Sequence, residues 1–106
     1  MDRIQKLQRD IKQWSDDTFG LGRTGRPIAH HLKKEIDEVI DAIDNSGYNR
    51  VKFEIADCFI LLLDVASHEG ISVGEILDAS EEKMEINKKR KWGEPDENGV
   101  VEHIEE

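Results

Sequence analysis

The stretch from Arg50 to His68, RVKFEIADCFILLLDVASH, limits the possible folds more than any other part of this chain. Its apolar residues fall on most sides of a helix, so a helix here is central and touched from several directions. Yet it carries Glu54, Asp57 and Asp64 among Phe53, Ile55, Ala56, Phe59 and Ile60. An unpaired charge in such surroundings costs on the order of several kcal/mol. Either the acids have partners, or something binds them.

The flanking segments supply the neighbours. Ile4, Leu7, Ile11 and Trp14 recur at three- and four-residue steps, which predicts an amphipathic first helix ending near Asp17. TFGLGRTGRPIA, with its glycines and proline, predicts a long irregular loop. Leu32, Ile36, Val39, Ile40 and Ile43 give a second helix over His30–Asn45, stopped by NSGYN, and Arg50 to about His68 is the third. In SVGE, Ser72 and Glu75 read as a capping box for a fourth helix bearing Val73, Ile76, Leu77, Met84 and Ile86. That helix runs into NKKRKW before Gly93 and Pro95, and a polar tail follows from about residue 94.

No strand pattern persists, and 106 residues suffice for one domain with one modest core. The expected fold is all-α: a four-helix bundle, 1–106, with one apolar stripe more than it can bury alone. It is completed by pairing with further copies, as a homodimer or homotetramer.

Charge narrows the partners. With 24 acids against 15 bases and a net charge of -9, most of the surface repels nucleic acid and anionic membranes. The single cysteine, Cys58, forms neither an internal disulfide nor a cysteine zinc site and reads as an ordinary buried thiol. CFILLL is far too short to span a bilayer, and the amphipathic start has no signal-peptide core, so the expected location is cytoplasmic.

The acids come in pairs three residues apart, Glu35 with Glu38 and Glu54 with Asp57. Helical residues at this spacing are about 5–6 Å apart at Cβ, so each pair converges on a point, and antiparallel neighbouring helices bring all four together. Four carboxylates that close need cations, and all-oxygen ligand sets suit Mg2+ or Mn2+, two or more ions per site. Glu35 and Glu38, near Asp37, Asp41 and Asp44, also fit a solvated acidic surface. Asp64 and His68 continue the face of Asp57 and are expected as helix-end groups or as hydrogen-bonding support for the ligands. A ferritin-like di-iron centre is excluded, since Glu-x-x-His is missing from these helices.

Glu35-x-x-Glu38 followed by Glu54-x-x-Asp57 resembles the signature of the MazG-like all-α nucleoside triphosphate pyrophosphohydrolases. That family usually has a second acid before the first pair, where Lys34 stands here. TFG, HLKKE, ADCFILLLDVA, GIS, KMEINKKRKWGEPD and GVVEH extend the likeness over nearly the whole chain, toward the dATP/dGTP diphosphohydrolase branch that includes the phage MazZ enzymes.

The resemblance implies hydrolysis of dGTP or dATP between the α and β phosphorus atoms, with Glu35, Glu38, Glu54 and Asp57 as metal ligands and catalytic acids. Glu38, closest to solvent, is favoured as the base. It also implies that Lys83, Asn87, Arg90 and Lys91 bind phosphates, while Lys88 and Lys89 complement the helix dipole. Trp14 and Phe19 offer aromatic faces to a base, with His31 beside them and Arg23 or Arg26 at the pocket mouth. GLGRTG lacks the preceding strand and the Gly-Lys-Ser/Thr of a P-loop. Trp92 is expected at a subunit boundary. Two other readings stand beside this one: a house-cleaning enzyme for pyrimidine or damaged nucleotides, and a non-catalytic helical assembly module. Which purine is preferred is left open, and a phage-encoded enzyme would act in host cytoplasm.

Overall fold

The computed structural model describes residues 1–105. Four helices follow one another: α1 (Arg3–Phe19), α2 (Gly25–Asn45), α3 (Tyr48–His68) and α4 (Val73–Lys89). The described residues contain no strand, only an isolated antiparallel bridge between Trp92 and His103. The chain divides into two compact units, Met1–Glu75 and a second beginning at Ile76.

In the first unit, α3 packs against both α2 and α1. α1 starts in a reciprocal cap: Asp2 Oδ1 accepts from Gln5 N at 2.9 Å, and Gln5 Oε1 accepts from Asp2 N at 3.0 Å. It runs two residues past the expected end and stops at Gly20, whose φ of 93° suits glycine.

α2 begins at Gly25, not His30, so the expected long loop shrinks to 20–24. Pro27 falls in the first helical turn, where its missing N–H costs nothing. The donor of Gly25 is capped from far along the chain, by Glu69 Oε2 at 2.8 Å. A Cβ on Gly25 would lie 2.8 Å from the Glu69 side chain and 3.1 Å from the Val65 carbonyl, so glycine lets α2 start tight against the end of α3.

Only 46–47 separate α2 from α3, the length of an αα-hairpin link. Descending positions 41, 38 and 35 meet ascending positions 50, 54 and 57, so the two helices are antiparallel.

The core of this unit includes Ile11, Ile28, Ala42, Leu63, Ala66 and Val73. The polar side chains of Ser15, Asp64 and His68 are buried with them. Asp64 is 2 % exposed, and its Oδ2 accepts from Ser15 Oγ at 2.9 Å. Its Oδ1 has no well-aligned donor, but His68 Nε2 stands 3.1 Å away. The other ring nitrogen of His68 is 3.0 Å from the Arg23 carbonyl, tying the loop at 20–24 to α3. Gln8 bridges the approach to α4: its Nε2 donates to Ile71 O at 3.0 Å and its Oε1 accepts from Val73 N at 2.8 Å. The Ser72–Glu75 capping box forms as expected, with bonds of 2.9 and 3.2 Å.

In the second unit the tail does not run loose. Gly93 N donates to Glu102 O at 2.9 Å and Ile104 N to Lys91 O at 2.7 Å, while Asp96 closes a turn by accepting from Asn98 N and Val100 N. Trp92 meets His103 edge-on at 6.1 Å, donates to Asn87 O at 3.1 Å and stays half exposed.

One expectation about α3 needs correction. Its apolar residues do not enclose Glu54 and Asp57 within a single chain, because Phe53 (65 % exposed), Ile55, Phe59 and Leu62 are themselves uncovered. The Glu54 side chain is half-buried and Asp57 is exposed. Ile36, Ile40 and Ile43 of α2 are likewise exposed.

Candidate metal centre and cleft

Glu35 of α2 and Glu54 and Asp57 of α3 each place one carboxylate oxygen so that all three lie within 4.8 Å of one another. The i, i+3 spacing on α3 supplies two of them and the antiparallel hairpin brings the third. His31, one turn before Glu35, puts Nε2 3.1 Å from Glu35 Oε1 and so steadies that side chain.

The fourth acid of the sequence pattern stands apart. Glu38 Oε2 accepts from Arg50 Nη2 at 3.3 Å. Arg50 also donates to Asp41 at 2.9 Å and to Ser46 Oγ at 2.8 Å, and its Nε is 4.0 Å from Glu54 Oε1. Arg50 thus spans the space between Glu38 and the cluster. The Arg50 bond, followed by one from Asn45, holds the Asp41 carboxyl below the usual carboxylate range, and Asp41 in turn raises the Arg50 guanidinium.

Cys58 records the field of the cluster. Partial burial is the main cause that raises its thiol, and the charges of Glu35, Asp57 and Glu54 add to it.

The cluster borders a cleft of about 570 Å³, lined by Asp10, Ile11 and Trp14 of α1, His31 and Glu35 of α2, and Asp57, Ile60 and Leu61 of α3. Trp14 is half exposed there, although its spacing also fitted the core stripe of α1. Phe19 meets Trp14 edge-on at 5.4 Å, and the Arg23 guanidinium lies over Phe19 at 4.6 Å. Among the residues expected to form the site, Trp14, His31, Glu35 and Asp57 therefore share one cleft.

Asp64 bonds to Ser15 and faces His68, not the cluster acids, because α1 covers α3 at that level through Ser15. Lys83, Asn87, Arg90 and Lys91 belong to the second unit, where Asn87 Oδ1 accepts from Arg90 Nη1 at 3.3 Å and Lys83 and Lys91 are exposed. Lys88 pairs with Glu85 at 3.2 Å.

Sequence reasoning missed Asp10 and Arg50. Asp10 precedes Trp14 by one helical turn, a spacing that marks a shared face, and Arg50 precedes Glu54 by the same interval.

The donor set fits hard divalent cations: three carboxylates from two rigid helices, no thiolate, and space beside them for further oxygen ligands. Fold and site together define an all-α protein of the MazG-like class. Residues 7–106 match the family model for dATP/dGTP pyrophosphohydrolases, and the chain belongs to that family.

Among its relatives is the dATP/dGTP diphosphohydrolase of cyanophage S-2L, 37% identical over 101 residues that make up 95% of this chain and 88% of that protein. The dATP/dGTP diphosphohydrolase of Salmonella phage PMBT28 is 38% identical over 95% of this chain, which spans 31% of that longer protein. The Eaa protein of Salmonella phage P22 is 37% identical over 96% of this chain, which spans 30% of it. A solved structure, the cyanophage S-2L MazG-like pyrophosphohydrolase bound to dGDP and three catalytic Mn2+ ions per active site, superposes with a TM-score of 0.72 at 30% identity. That match covers 99% of this chain and 96% of the other.

Proposed function

We propose that this chain hydrolyses the purine deoxynucleoside triphosphates dGTP and dATP at the α–β phosphoanhydride bond, releasing the monophosphate and pyrophosphate with the help of Mg2+ or Mn2+. The observation that carries this reading is the convergence of Glu35, Glu54 and Asp57 at the mouth of a cleft faced by Trp14 and His31. Family membership and a relative bound to dGDP and Mn2+ support it.

Glu35, Glu54 and Asp57 would hold the ions, and Glu38 completes the acid set. Divalent ions bound there would supply positive charge to phosphate oxygens and acidify water. Glu38, exposed, outside the three-acid group and bonded by Arg50, would accept the proton of the attacking water. Trp14 offers a face on which a base can stack, with Phe19 against its edge and His31 across the cleft. Lys83, Asn87, Arg90 and Lys91 carry the cationic and amide donors that suit triphosphate oxygens. Asp64 has a supporting role, through Ser15, His68 and the Arg23 loop.

The working form is a homodimer or homotetramer. The exposed Ile36, Ile40, Ile43, Phe53, Phe59 and Leu62 on α2 and α3 are more apolar surface than one hairpin keeps in water, and a solution mass equal to one 12.2 kDa chain would contradict this. Its phage relatives point to host cytoplasm as the place of action.

The test is a nucleotide panel scored by pyrophosphate release, with and without Mn2+. Turnover of dGTP or dATP that disappears on chelation and in Glu54→Ala or Asp57→Ala is expected. Preference for dCTP or dUTP would overturn the purine assignment, and full activity in either variant would overturn the metal centre.

A further inference from the structure

We propose that Asp10 reads the Watson–Crick edge of guanine and makes dGTP the preferred of the two purine substrates. The inference rests on the functional reading above and adds the specificity that reading leaves open.

Three acids line the cleft. Glu35 and Asp57 belong to the metal cluster, whereas Asp10 lies outside it. A carboxylate outside the metal cluster is a poor neighbour for a triphosphate, since like charges repel. Asp10, an exposed residue paired with Arg9, would on the cleft side serve the other end of the substrate.

Position supports this. Asp10 stands one turn before Trp14 on α1, on the same side of the helix, so a base stacked on the indole has the Asp10 carboxylate at its edge. Among the described residues, the only partner of the Asp10 side chain is its exposed neighbour Arg9, which donates to Oδ1 at 3.2 Å. That leaves Oδ2 without a protein hydrogen bond among the described residues.

The chemistry selects the base. A carboxylate only accepts, and with two oxygens it accepts in parallel from two neighbouring donors. The Watson–Crick edge of guanine offers such a pair, N1–H and the 2-amino group. Adenine offers one donor and, at N1, a lone pair that a carboxylate repels. A site built to accept from a substrate donor rejects analogues lacking it more strongly than an apolar pocket rejects a shape change.

The experiment compares dGTP, dITP and dATP with the full-length protein and its Asp10→Ala and Asp10→Asn variants. dITP lacks only the 2-amino group. Wild type is expected to favour dGTP over both, by about tenfold or more in kcat/KM, the discrimination of one good bidentate contact. Asp10→Ala removes that preference by lowering kcat/KM for dGTP, mainly through KM, while dATP changes little. Asp10→Asn, with one donor and one acceptor, raises dATP relative to dGTP. Calorimetric titration with dGMP and dAMP follows the same order, and thermal melting confirms that each variant is folded.

A parallel fall for all three nucleotides would overturn the proposal and place Asp10 on the sugar or in the scaffold. A dGTP/dITP ratio that survives Asp10→Ala, or a wild type that prefers dATP, would overturn it too. Failure to hydrolyse any purine nucleotide would instead remove the functional reading on which it rests.

Discussion

Asp64→Ala tests whether the buried polar trio Ser15, Asp64 and His68 holds the first unit together. The substitution strips Ser15 Oγ of its 2.9 Å acceptor and leaves the His68 ring, 3.1 Å from the lost carboxylate, facing a void. Each polar group left unpartnered in a buried place costs about 1–3 kcal/mol, and the loss of Asp64 takes a partner from two, Ser15 and His68. The expected loss is therefore on the order of 3–5 kcal/mol. For a domain of this size that lowers Tm by roughly 15–25 °C.

Asp57→Ala, seven residues earlier on the same helix, provides the contrast. Asp57 is exposed among like charges, so its removal in metal-free protein leaves Tm unchanged or raises it slightly. Asp64→Asn, which keeps the acceptor for Ser15, falls between the two. Calorimetric melts of all four proteins, without divalent ions, give the answer. Equal Tm shifts for Asp57→Ala and Asp64→Ala, or a loss below about 1 kcal/mol for the latter, would refute the account of which acid is structural.

Three further outcomes follow from the geometry. Removing the guanidinium in Arg50→Gln takes a positive charge from beside Glu38 and Glu54, so Mn2+ binding, read by electron paramagnetic resonance of nucleotide-free protein, tightens by up to about tenfold at low salt and less as salt is added. The Asp41 carboxyl is held below its ordinary value of 3.8 by Arg50, so the folded state gains from this pair above that value and loses the gain as pH falls through the lowered one. Tm measured against pH should therefore lose part of its acid limb in Asp41→Asn, and an unchanged limb would dismiss the pair. The Cys58 thiol, raised above its ordinary 9.0 by burial and by three carboxylates, reacts sluggishly with a thiol reagent near pH 8 and faster in Asp57→Asn; identical rates would show that the cluster's field does not reach it.

The sequence made some features legible because their causes are local. Apolar periodicity marks all four helices, and the Ser72–Glu75 cap needs only its own residues. The acid pairs could be read because i, i+3 spacing is itself geometry, and three of the four do converge. What stayed hidden depends on partners far along the chain. Gly25 and Pro27 look like helix breakers until Glu69, 44 residues on, caps the first turn. Asp64 looks like a companion of Asp57 until Ser15, 49 residues back, claims it. The burial expected around Glu54 failed for a related reason, since an apolar sequence says that surface seeks cover without saying that the same chain provides it.

The two-residue link between α2 and α3 has a bearing on how the protein is made. All three clustered acids lie within one hairpin, 35 to 57, so they meet through contacts close in sequence, the kind that form early because little loop entropy stands against them. Ser15 and Asp64, by contrast, must find each other across 49 residues. A nascent chain can thus gather its metal-binding groups before its core polar trio is in place, and dissolved divalent ions would then act on folding as well as on the finished protein.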